Sequence, residues 1–209
     1  MSAPRIDPES VMWSTPEADR AGRPLIVLLH GYGSHEGDLF GLSPALPLGA
    51  TIASLRAPIP TGPGFAWWEI RELGAPDVGQ VDAAASTILD WLDSFEHGPV
   101  SLLGFSQGGA LALQVLRLAP DRIAAAVCLA GFVVPVAHQG DAELARVRPP
   151  VFWGRGTDDA VIPDAAVEFT EAWLPKHATA TIRIYEGLGH AVSTPELTDL
   201  VAFLRVHAG

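Results

Sequence analysis

Val100-Ser101-Leu102-Leu103-Gly104-Phe105-Ser106-Gln107-Gly108-Gly109-Ala110-Leu111 passes from an apolar run through a glycine-flanked turn into a helix, with no linker between them. The run Val100–Leu103 is short and bounded by turn residues, as suits a strand covered on both faces of a parallel sheet. From Gly108 to Leu118 the residues read as a largely buried helix, stopped by Pro120. Outward from this unit the same alternation recurs. Strand-like runs are Leu25–Leu29, Thr51–Leu55, Ile123–Leu129, Val151–Trp153 and Thr181–Tyr185. Between them, Val81, Ala84, Ala85, Ile88, Leu89 and Leu92 form an amphipathic stripe. Asp164–Leu174 reads as a helix stopped by Pro175, and a last helix opens with Thr194 as cap and Pro195 at its first position. Strands alternating with helices imply an α/β domain, a mostly parallel sheet with helices on both faces.

Composition agrees with one such domain. The chain has 209 residues, 48% of them hydrophobic and 18% charged, enough apolar material for a sizeable core. Asp+Glu number 24 against 13 Lys+Arg, a formal charge of −11 that repels nucleic acid and anionic membranes. Lys176 is the single lysine, so there is no polybasic run. The single cysteine, Cys128, lies in an apolar run and reads as a buried hydrophobe; alone it makes neither a disulfide nor a Cys-rich metal site. Residues 1–9 read as a flexible N-terminus without the charged and apolar segments of a leader, and no apolar stretch approaches the roughly 20 residues of a membrane span. A cytoplasmic protein without stable membrane insertion is expected. A homodimer is compatible with the sequence but nothing in it argues for one.

In open parallel sheets, ligands bind at the carboxyl ends of the strands, so the loops leaving each strand carry the function. Gly104-Phe105-Ser106-Gln107-Gly108 is G-x-S-x-G between a strand and a helix. The glycines let strand and helix approach, and the turn lifts a serine hydroxyl beside a helix N-terminus. A serine needs a base, and the base an orienting acid, in the chain order serine, acid, histidine. Asp158 and Asp159 follow the strand at Val151, and His190 follows the strand at Thr181 on the glycine-flexed loop Gly187-Leu188-Gly189. His30 lies too far upstream for that order, and His35, His97, His138, His177 and His207 read as solvated. An oxyanion hole needs two converging N–H donors. The amide of Gln107 is one candidate and that of Tyr32, in Leu29-His30-Gly31-Tyr32-Gly33, is the other.

The sequence here resembles the phospholipase/carboxylesterase family of α/β-hydrolases, which includes acyl-protein thioesterases and small bacterial carboxylesterases. The resemblance is carried in order by Leu28-Leu29-His30-Gly31-Tyr32-Gly33 with Asp38, Ala66-Trp67-Trp68-Glu69-Ile70, Gly104-Phe105-Ser106-Gln107-Gly108-Gly109, Gly156-Thr157-Asp158-Asp159-Ala160-Val161-Ile162-Pro163 and Gly189-His190. It implies an α/β-hydrolase fold with about seven or eight strands. It selects Asp159 over Asp158 as the acid, by its place between Gly156 and Pro163, and assigns the oxyanion donors to Tyr32 and Gln107. Two departures bear on the acyl pocket: Arg155-Gly156 stands where the family often has His-Gly, and Trp67-Trp68-Glu69 where Trp-Phe-Asp is common.

The expected activity is hydrolysis of a small-molecule carboxylic ester or thioester by Ser106, His190 and Asp159. It needs no metal or organic cofactor, and its rate should rise with pH as the imidazole sheds its proton. The connection Gly131 to Pro149 is too short for a cap domain, which predicts an open cleft and short-to-medium acyl chains. Its run Val133-Val134-Pro135-Val136 either flanks an acyl groove or packs on the domain. Trp67, Trp68 and Val161 are candidates to line the cleft, core burial being the alternative for the tryptophans. Acyl-protein thioesterase and lysophospholipase activities are the alternatives within the class. A non-catalytic binding protein on the same fold is the alternative outside it.

Overall fold

The computed structural model describes residues 5–47 and 49–208. Its strands are β1 (Met12–Trp13), β2 (Leu25–Leu29), β3 (Thr51–Leu55), β4 (Ile59–Thr61), β5 (Gly64–Ala66), β6 (Val100–Phe105), β7 (Ile123–Leu129), β8 (Pro150–Gly156) and β9 (Thr179–Tyr185). The α-helices are α1 (Glu36–Phe40), α2 (Val78–Leu92), α3 (Gln107–Leu118), α4 (Asp141–Val147), α5 (Asp164–His177) and α6 (Thr194–His207). Seven strands form the central sheet in the order β1-β3-β2-β6-β7-β8-β9. Only β1 is antiparallel; β4 and β5 pair as a separate ribbon.

Strand β2 is apolar and buried at every position because helices cover both faces of the sheet there. In β2, Leu25, Val27 and Leu29 join the core beneath α2 to α5, whereas Ile26 and Leu28 join the core beneath α1 and α6. Successive strand side chains point to opposite faces, so a strand between two helical layers has no polar side to show. The stripe read on α2 is buried at Val81, Ala84, Ala85, Ile88 and Leu92, with Leu89 half-buried. Cys128 is fully buried and its thiol is pushed far above the usual range by desolvation, which keeps it protonated and inert.

Three expectations are corrected. Residues 1–4 of the expected flexible terminus lie outside the described residues, but Ile6 is buried and Pro8–Ser10 form a 3₁₀ turn capped by Asp7. An apolar side chain in the core ties the segment down. Helix α5 runs past Pro175 to His177. The N–H that proline lacks would have met exposed Glu171, where water serves, and Arg148 donates to the carbonyls of Pro175, Lys176 and Ala178. Helix α6 is capped one residue earlier than expected: Ser193 accepts from the Glu196 amide at 3.2 Å and Glu196 accepts from the Ser193 amide, a capping box. Among the described residues no helix is long and apolar enough to cross a membrane. The connection from β7 to β8 carries a single short helix, α4.

Candidate active site

The turn between β6 and α3 holds Ser106 at φ 55°, ψ −116°, a conformation L-residues rarely adopt. Its amide donates to Leu129 O at 2.8 Å and its carbonyl accepts from Ala110 N at 3.0 Å, so both neighbouring elements hold the strain. The flanking glycines are required by contact. A Cβ at residue 104 would collide with the backbone of Gly108, and one at residue 108 with the carbonyl of Leu29. G-x-S-x-G is therefore the sequence trace of two backbone crossings, strand against helix and helix against β2.

The carboxyl ends of β8 and β9 bring the other two groups to this turn. His190 Nε2 lies 2.9 Å from Ser106 Oγ, and its Nδ1 lies 2.8 Å from Asp159 Oδ2. Asp159 is held in turn, its Oδ1 accepting from the amides of Val161 at 2.9 Å and Ile162 at 3.3 Å. A carboxylate against Nδ1 places the imidazole proton there, which leaves Nε2 to accept from the serine. The side chains of His190 and Asp159 are 18% and 7% exposed, so the ring can reach a substrate while the carboxylate stays shielded. The ring also packs on Phe105, with centroids 4.9 Å apart. Asp158 instead faces solvent and accepts from Thr157.

Beside this row lies a cleft of about 270 Å³, bordered by Tyr32, Gln107, Trp68, Phe132, Val161 and Ile162. Both candidate oxyanion donors, Tyr32 and Gln107, line this cleft together with Ser106. Residue 31 comes so close that a Cβ there would sit 3.5 Å from that of Ser106. Gln107 opens α3, so its amide has no carbonyl one turn back within the helix. The Gln107 side chain has a second task. It accepts from Trp67 N and donates to Trp68 O, both at 2.9 Å, pinning the segment after β5 against the helix start.

That pin separates the two tryptophans. Trp68 and Val161 line the cleft. Trp67 does not: it is buried in the core, where its indole N–H donates to His30 O at 2.8 Å. His30 is structural, its Nε2 accepting from Ala57 N and its Nδ1 donating to Gly31 O. Desolvation lowers its pKa and keeps it neutral. His138 is not solvated either, its side chain being only 7% exposed beside Asp82. Val133 and Val134 are core residues, and of that connection it is Phe132 that reaches the cleft. Sequence reading also missed Ile70, Leu73 and Ile162 as cleft residues. Ile162, beside the acid in the loop motif, was the one with a usable signal.

The model of the phospholipase/carboxylesterase family matches residues 14–208. Acyl-protein thioesterase 1 of Candida albicans is 27% identical over 220 residues, covering 91% of this chain and 94% of that protein. Among solved structures, that of esterase PE8 superposes with a TM-score of 0.75 at 27% identity, over 97% of this chain and 99% of that one. The Bacillus cereus carboxylesterase shares the fold with a TM-score of 0.79 at 21% identity, over 94% and 93% of the two chains.

Proposed function

The chain belongs to the phospholipase/carboxylesterase family, and from that premise we propose that it hydrolyses carboxylic esters or thioesters of short-to-medium acyl chains through Ser106, His190 and Asp159. Ser106 Oγ attacks the acyl carbonyl while His190 Nε2 takes its proton. The amides of Tyr32 and Gln107 hold the oxyanion that forms. His190 then gives the proton to the departing alcohol or thiol, leaving the acyl group on Ser106. Water, deprotonated by the same imidazole, attacks that ester and releases the acid. Asp159 stabilises the imidazolium in both halves without taking its proton.

The observation that carries this reading is the continuous row Ser106 Oγ, His190, Asp159, at 2.9 and 2.8 Å. Three residues far apart in sequence meet in the geometry nucleophilic catalysis needs. A binding protein would gain nothing from a strained serine against a base. A fluorophosphonate probe should label the chain at Ser106, and Ser106→Ala should lose labelling and about 10⁴-fold or more in kcat with the fold retained. Labelling elsewhere, or near-full activity in Ser106→Ala, would sink the reading.

The reading of short-to-medium acyl chains is supported by the connection from β7 to β8, which carries only the short helix α4 and no cap over the cleft among the described residues. Across p-nitrophenyl esters of increasing length, kcat/KM should peak at short-to-medium chains and fall at long ones. A maximum at palmitate would favour the acyl-protein thioesterase reading that the Candida albicans relative's name suggests.

A further inference from the structure

The wall of the cleft is aromatic and aliphatic, yet its rim holds two carboxylates, Asp38 and Glu72, and among the described residues neither lysine nor arginine lines it. Asp38 accepts from Ser34 Oγ at 2.7 Å, an uncharged partner that leaves its negative charge in place. Arg56 is paired with Glu36 and lies over the Phe65 ring, and the exposed Arg71 faces Glu69 at 3.9 Å. Tyr32, Trp68, Phe105 and Phe132 share the cleft with these carboxylates. Tyr32 is steadied by a 3.0 Å hydrogen bond between its hydroxyl and Thr61. Carboxylates beside aromatic faces are what a cation meets favourably and an anion does not. The formal charge of −11 on the whole chain adds a field of the same sign.

We propose that the cleft selects by charge, preferring esters with a cationic group close to the scissile bond, accepting neutral ones, and rejecting anionic ones. This rests on the serine-hydrolase reading and sharpens it. It disfavours substrates whose leaving group is anionic, such as coenzyme A thioesters. Both carboxylates are exposed, so their influence is electrostatic and screened by salt.

The test uses three butyrate esters of similar size, with choline, 3,3-dimethylbutanol and 3-hydroxypropanesulfonate as the alcohols. At low ionic strength kcat/KM should fall in that order, with the choline ester about tenfold or more ahead of the sulfonate. The ratio should shrink in 0.5 M salt and in Asp38→Asn and Glu72→Gln, and Glu72→Lys should shrink it furthest. A sulfonate ester cleaved as fast as the choline ester overturns the proposal. So does a preference that persists unchanged through salt and all three substitutions, because shape and not charge would then be read. Either result leaves the serine-hydrolase reading standing as long as the neutral ester is cleaved by the wild type and not by Ser106→Ala. If Ser106→Ala cleaves the neutral ester equally well, both fall together.

Discussion

At residue 106 the backbone stores strain. A positive φ with ψ −116° costs a residue with a Cβ on the order of 1–3 kcal/mol, and glycine almost nothing. Ser106→Gly should therefore be more stable than Ser106→Ala by about 1 kcal/mol, with both inactive. Urea denaturation of the two variants checks this; equal midpoints would mean the turn is not strained. The motif residues were legible because each answers a local demand: glycine where backbones touch, serine at the turn, histidine after a late strand. Trp67 and Trp68 were not separable in sequence. Adjacent identical side chains point to different places, and only the Gln107 side chain, fixed by the start of α3, decides which faces the cleft.

Among the elements, α6 carries a device whose strength the sequence does not disclose. The Glu196 of its capping box is 1% exposed, and its Oε1 finds no hydrogen-bond partner among the described residues where it lies against Gly154. Burial pushes the carboxyl up to about 7, opposed by the Ser193 amide and reinforced by Asp199. The folded chain thus holds this proton more tightly than the unfolded one, so its stabilising effect is present below the ordinary carboxylate range and is lost as pH rises towards 7. Between pH 5 and 8 the wild type should lose about 1–2 kcal/mol relative to Glu196→Gln. Urea midpoints of both proteins at the two pH values test it, and parallel curves would refute it. The box itself was open to sequence reading, since serine three residues before glutamate is a start signal. What escaped was burial, which comes from β8 packing beneath.

At the scale of the whole molecule, Arg117 joins layers that sequence reading treats separately. Its side chain is fully buried, pairs with Asp141 at 2.7 Å, donates to the carbonyls of Val134 and Val136, and lies over Trp173. One guanidinium so ties α3, the connection after β7, α4 and α5 together. Arg117→Met should cost about 3–5 kcal/mol by orphaning Asp141 and two carbonyls, measurable by chemical denaturation. A loss under 1 kcal/mol would mean that water replaces the arginine. Nothing in the helix's pattern marks this residue, because a charge near a helix end ordinarily means a solvated face.

The amino-acid sequence determined the layered α/β architecture, since short apolar runs alternating with helical stripes pack as a parallel sheet covered on both sides. It also placed a serine, two adjacent carboxylates and a histidine at strand ends, because chain order and strand direction put them on one edge; the family resemblance singled out Asp159. Tertiary structure alone decided what surrounds them: Trp68 rather than Trp67 at the cleft, Val133 and Val134 in the core, carboxylates on the rim. Those outcomes depend on which side chain fills the space another element leaves, and no local pattern in the chain encodes that.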